Sequence, residues 1–157
     1  MANFRSRLAA GAVILSLAVG VVGGYEGLRT KAYRDVVGVP TVCFGETRGV
    51  KMGDTYTTEQ CKAMLGDALI EFERGMAACL TNPARVPDKT YVAFLSLSYN
   101  IGTGAFCRST LVRKANAGDL RGACNEFPKW NKAGGRVIRG LTLRRAEEKT
   151  LCLSGLA

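Results

Sequence analysis

The chain has no histidine at all and a single tryptophan in 157 residues. Without an imidazole, proton transfer near neutral pH falls to carboxylates, cysteine, tyrosine or lysine. A zinc site would have to be built from clustered thiolates, and no two of the six cysteines are spaced as C-x-x-C. No metal or cofactor is therefore expected. Acidic residues are scarce too, 13 against 22 Lys plus Arg, and the resulting formal charge of +9 favours a polyanionic partner: nucleic acid, anionic lipid or an acidic cell-wall polymer. The chain also lacks internal repeats and any linker long enough to separate a second globular unit. What it has is 47% hydrophobic and 22% charged residues, the composition of one packed domain.

The cysteines stand at Cys43, Cys61, Cys79, Cys107, Cys124 and Cys152. An even number spread through a small domain points to as many as three disulfides and an oxidising compartment. Six cysteines allow 15 pairings, and the local pair Cys107–Cys124 is the one expected first. Ahead of the first cysteine, Arg5 and Arg7 precede a run of 17 uncharged residues, Leu8 to Gly24. That is the lower limit for a bilayer span. Nine of the 17 are Gly, Ala or Ser, which gain little from lipid. A cleaved signal peptide, a permanent anchor and a temporary anchor kept in the mature chain all fit this composition. In each case the two arginines hold the N-terminus in the cytoplasm and send the rest outward.

Residues 25–56 are rich in Gly, Val, Thr and Tyr, and VVGVPTVCFGETRGV predicts short strands and turns. From Thr57 the hydrophobic period becomes helical through Leu80, with Thr57 and Gln60 as a capping box. After a break at 82–87, Asp88 is expected to cap the run KTYVAFLSLSYNIG, which is apolar nearly all round and so buried. Short helices over about 109–116 and 119–127, the second capped by Asp119, lead to a loop around Gly134-Gly135-Arg136. A final helix spans about Leu141 to Leu153. The expected class is α+β and mainly α: an N-terminal apolar helix, a small β region, then a helical bundle.

Glu26 and Asp35 lie where helix gives way to strand, so they come from separate elements that can flank a cleft. Two such carboxylates, one held protonated and one ionised, are what glycoside hydrolysis requires. Spacing alone says little, since most Glu/Asp pairs nine apart are simply solvated. The pattern Glu26, Tyr33, Asp35 and Thr41 in EGLRTKAYRDVVGVPTVCFGET is more specific, and it closely resembles the active-site signature of the phage-type lysozymes, glycoside hydrolase family 24. The likeness continues through SLSYNIGTGAFCRSTLVRKANAGD and GLTLRRAEEKTLCL, from about Tyr25 to Ser154.

The resemblance implies a lysozyme-like fold and a muramidase acting on the β-1,4 bond between N-acetylmuramic acid and N-acetylglucosamine. It assigns Glu26 as general acid, Asp35 as the residue that positions or activates water, and Thr41 as a holder of that water. The family inverts, which implies a carboxyl separation of about 6.5–9.5 Å. Tyr33, Asn100 and Arg145 become candidates for substrate contact or for support of the cleft. Many relatives carry Gly-His-Thr where this chain has Gly45-Glu46-Thr47, so Glu46 enters as a third acidic residue, expected to be structural. Cleavage near Gly24 would leave Glu26 on a frayed terminus, which cannot fix a general acid.

Retention is therefore expected, and the segment resembles that of the lambdoid phage signal-anchor-release endolysins. Residues 1–24 would be a retained anchor and 25–157 the catalytic domain. Residues 8–24 would hold an inactive form in the host inner membrane until its release to the periplasm. The partner would be peptidoglycan, with no nucleic acid, and the protein is expected to be a monomer. Two other readings remain open: a lysozyme-fold lytic transglycosylase and a non-enzymatic, cationic membrane-disrupting protein.

Overall fold

The computed structural model describes residues 4–157, and Met1 to Asn3 lie outside the described residues. Ser6 caps a single helical turn, α1 (Arg7–Ala10), by accepting the Ala9 N–H. Gly11, with extended backbone (φ −133°), breaks the path before α2 (Ala12–Glu26). Ile14, Ala18 and Val22 recur every four residues, and this face of α2 is buried in the main core with Leu8. Because the helix is uncharged up to Glu26, apolar side chains also point outward, and Val13 is 83% exposed. None of the described helices is long and apolar enough to cross a membrane.

Strands β1 (Arg29–Arg34) and β2 (Pro40–Cys43) form an antiparallel hairpin in which Tyr33 faces Thr41 and Arg34 faces Pro40. The outer edge of β1 is covered by residues 54–56, through Ala32 N–H to Asp54 and Tyr56 N–H to Thr30. Helix α3 (Thr58–Ala78) opens with the expected capping box between Thr57 and Gln60. Helix α4 (Asp88–Ile101) is buried from Thr90 through Ser98 and forms the centre on which α2, α3 and α8 (Arg139–Ser154) pack. Between α4 and α8 lie α5 (Thr103–Cys107), α6 (Thr110–Asn116) and α7 (Leu120–Cys124), and Asp119 caps α7 as expected.

Three expectations change. Helix α7 ends at Cys124, and a separate 3-10 turn, Phe127–Lys129, takes up the rest of the predicted 119–127 helix. The loop at 134–135 is a two-residue turn joining β3 (Lys132–Ala133) to β4 (Arg136–Val137), with both glycines at positive φ as this turn demands. Asp88 does not cap α4. Its side chain pairs with Arg7 at 2.5 Å, because the N-terminal segment packs beside the start of that helix.

The disulfides are Cys43–Cys61, Cys79–Cys107 and Cys124–Cys152, with Cα separations of 4.9, 5.4 and 5.6 Å. The expected pair Cys107–Cys124 is thus overturned. Cys107 ends α5 beside the C-terminus of α3, whereas Cys124 ends α7 against α8, and α6 intervenes. Each bridge ties two elements across the fold, the first joining the end of the β hairpin to the start of α3.

Three glycines of α2 differ in surroundings. A Cβ on Gly20 or Gly24 would meet nothing within 4 Å, whereas one on Gly23 would stand 3.2 Å from Phe44 and 3.3 Å from Leu65. Gly20→Ala and Gly24→Ala should each raise folding stability by about 0.5–1 kcal/mol, the backbone-entropy gain of alanine over glycine in a helix. Gly23→Ala should not, and urea unfolding of the three variants checks the contrast.

Candidate active site

Glu26 is the last residue of α2, and Gly27 turns the chain away with φ of +75°, a value that favours glycine. The Glu26 side chain is 27% exposed, and Arg144 Nη1 donates to its Oε1 at 3.2 Å. Arg144 is itself nearly buried. Its Nε donates to Glu148 Oε1 at 3.1 Å, Nη2 reaches the Ser96 carbonyl at 3.4 Å, and the guanidinium lies 4.4 Å from the centre of the Tyr25 ring. Tyr25 in turn donates its hydroxyl to Glu147 Oε2 at 2.8 Å. Burial, then the hydrogen bond to Glu147 and the charges of Glu147 and Glu148, push this phenol up, so it stays a donor. The C-terminal end of α2 is thereby clamped to α8, and the direction of the Glu26 carboxyl depends on that clamp.

Asp35 sits at the turn between β1 and β2. Its Oδ1 accepts the N–H groups of Val37 (2.9 Å) and Val39 (2.8 Å), an arrangement the short Asp side chain makes with its own turn. No described residue donates to Oδ2. Thr41 is buried on β2 and donates its hydroxyl to the Val39 carbonyl at 2.9 Å. Asp35 and Thr41 are therefore fixed through the same backbone residue. Tyr33 lies across from Thr41 in the hairpin, with the Arg29 guanidinium 4.3 Å over its ring.

Glu46 follows β2 and is held to it by mutual backbone hydrogen bonds with Val42. Its Oε1 accepts from the N–H groups of Thr47 and Arg48 at 3.0 and 2.9 Å, and Arg48 also pairs with Glu71 on α3 at 3.2 Å. Burial would raise the Glu46 carboxyl, but the hydrogen bonds and charge of Arg48, with the Thr47 N–H, outweigh it and hold the group below its ordinary value. Glu46 borders a cleft of about 280 Å³ lined also by Met64, Leu65, Phe72 and Tyr99. The Tyr99 phenol is pushed up by burial and then by the charges of Glu26 and Glu46. It thus lies within electrostatic reach of both carboxylates.

Arg145, expected at the cleft or in its support, is wholly buried and falls on the supporting side. It donates to Asn100 Oδ1 at 2.9 Å and to Glu148 Oε1 at 3.0 Å, and a second Glu148 contact at 2.6 Å is an ion pair without hydrogen-bond alignment. Burial pulls the guanidinium below its ordinary value, against the charge of Glu148. Asn100 is exposed at the end of α4 and is oriented by this contact. Arg144 and Tyr99 escaped the sequence reading. The i,i+4 spacing of Arg144 and Glu148 was the available signal for the first, and adjacency to Asn100 for the second.

The phage lysozyme family profile matches residues 23–148. The SAR-endolysin of Bacteriophage PS119 is 44% identical over 133 residues, covering 84% of this chain and 78% of that protein. Among solved structures, a P22 lysozyme variant is 34% identical with a TM-score of 0.79, covering 88% of this chain and 96% of that one. The active form of P1 phage endolysin Lyz is 27% identical with a TM-score of 0.77, covering 93% and 94%. The secreted inactive form of the same endolysin is matched over 98% of both chains, at 24% identity, with a TM-score of only 0.56.

The buried cluster around Glu148 has a measurable consequence. Arg145→Met removes the wholly buried guanidinium and leaves Glu148 short of one partner. Breaking a buried pair in this way should cost about 3–5 kcal/mol of stability, read as a lowered midpoint in thermal or urea unfolding.

Proposed function

Because the chain belongs to the phage lysozyme family, we propose that Glu26 and Asp35 cleave the β-1,4 bond between N-acetylmuramic acid and N-acetylglucosamine in peptidoglycan. The chain is a phage endolysin of the lysozyme type, a glycoside hydrolase. Glu26, with one oxygen on Arg144 and partial exposure, is the general acid and gives its proton to the leaving glycosidic oxygen. Asp35 takes a proton from a water that attacks the anomeric carbon from the opposite face, so the product forms with inverted configuration. Thr41, fixed two residues from Val39, helps hold that water. The observations that carry this reading are the clamp on Glu26 by Arg144 and the turn that fixes Asp35. The basic surface suits an anionic polymer, and Tyr33 and Asn100 border the substrate.

Residues 1–24 are proposed as a signal-anchor-release segment and 25–157 as the catalytic body, with release from the host inner membrane to the periplasm as activation. The name of the PS119 relative supports this. In the bilayer, residues 8–24 would form one helix with the Gly11 break closed, about 25 Å long at 1.5 Å per residue. That is short of the roughly 30 Å hydrocarbon core, so tethering is weak. Held there, Glu26 cannot meet Arg144. After release the segment becomes α1 and α2.

Glu26→Gln should lower the release of reducing ends from isolated sacculi by about 10²–10⁴-fold, the usual worth of a general acid. Continued killing by that variant would instead favour the membrane-disrupting reading. Anhydro-muramyl ends in the wild-type digest, seen by mass spectrometry, would favour the transglycosylase. Gly20→Leu combined with Gly24→Leu should hold the protein in the membrane fraction and prevent lysis. Gly23 is left untouched because Phe44 and Leu65 abut it. Lysis at the wild-type rate would refute tethering.

A further inference from the structure

The far end of the N-terminal segment is gripped as firmly as the catalytic end. Glu73 on α3 is wholly buried, and its carboxylate accepts three hydrogen bonds. One comes from the Tyr91 hydroxyl of α4 at 2.8 Å. The other two come from the segment: the Ser6 hydroxyl in a short contact and the Arg7 N–H at 2.8 Å. The Arg7 guanidinium lies 4.2 Å over the ring of the same tyrosine. Its Nη1 donates to the carbonyls of Pro83 and Val86, both at 2.7 Å, and its Nη2 pairs with Asp88. The Tyr91 phenol is pushed up by burial and by Glu73, against Arg7, and so remains the donor.

We propose that Glu73, Tyr91, Asp88 and the carbonyls of Pro83 and Val86 form a socket that captures Ser6 and Arg7 and locks the released segment in the one register that aligns Glu26. The proposal rests on the reading of residues 8–24 as a releasable anchor. Between Leu8 and Gly24 the segment carries only small and aliphatic side chains. Its buried face is Ile14, Ala18, Val22 and Gly23, and a slip of one helical turn would put Ala10 where Ile14 packs and Ile14 where Ala18 packs. That mismatch in size opposes the slip, and buried polar partners at the ends add directional contacts that apolar packing lacks. The segment has such partners only at its ends.

The chemistry of the socket is selective. Two neutral carbonyls, a carboxylate and an aromatic face suit a guanidinium, and a buried carboxylate suits the free N–H groups and hydroxyl at the start of a helix. Without the segment, Glu73 keeps only the Tyr91 hydroxyl. In the tethered form Ser6 and Arg7 lie on the cytoplasmic side and are the last part of the segment to leave. The socket therefore fills only on complete release, and a partly withdrawn segment leaves Glu26 out of register.

The test uses purified full-length protein in detergent-free buffer and begins with changes in the segment, which leave the body intact. Ser6→Ala with Arg7→Gln should speed hydrogen exchange of the amides in Ala12–Glu26 by about tenfold or more, the weight of a lost hydrogen bond to a charged group. Exchange in α8 should be unchanged. The apparent kcat should fall with the docked fraction while KM stays constant. Glu73→Gln should reproduce both effects, and adding it to the segment variant should cost little more. Wild-type exchange and wild-type kcat in the segment variant would overturn the socket. Separately, full hydrolysis of added peptidoglycan by wild-type chain still embedded in inside-out-free membrane vesicles would refute release as the signal, whatever the soluble variants do.

Discussion

Arg144 joins two parts of the chain that are far apart in sequence. It reaches Glu26, at the end of the apolar helix and 118 residues away, and also Glu148, sealed inside the fold. An arginine suits this place because its rigid fork can meet a carboxylate, a carbonyl and a ring at once. Tyr25 stacks on the same guanidinium and reaches Glu147. The end of α2 therefore has a defined position only when α2 lies against α8. The position of the Glu26 carboxyl is thus tied to the docking of an entire helix.

That helix is uncharged almost to its end, and its small residues allow close approach to the body, with Gly23 against Phe44 and Leu65. Aliphatic side chains such as Val13 face water on its outer side. Polar contacts at both ends add to this packing. Glu73 holds Ser6 and Arg7 at one end, and Arg144 holds Glu26 at the other.

Glu46, just after the hairpin, pairs with Arg48, which continues to Glu71 on α3. The hairpin is thus joined to α3 by fixed charges, and covalently by Cys43–Cys61. The two further disulfides brace α3 to α5 and α7 to α8, far from the hairpin, in keeping with a small domain that works outside a reducing compartment.

Features set by neighbours within a few residues were legible in the sequence. The Thr57–Gln60 box, the Asp119 cap, the hairpin around Gly38 and Pro40, and the buried run through α4 depend on local hydrogen bonds and periodicity, which travel with the sequence itself. The places of Glu26 at a helix end, Asp35 in a turn and Thr41 on the strand after it follow from the same local rules. Contacts across the fold were not. Arg144 and Arg145 are adjacent in sequence and alike in charge, yet a rotation of about 100° along α8 sends one to Glu26 and the other to Asn100. Cys107 and Cys124 are neighbours in the chain but end helices that pack on different partners, and Asp88 leaves its own helix for Arg7. In each case the side chain had several acceptable partners, and only the packing of helices on α4 determined which one came within reach.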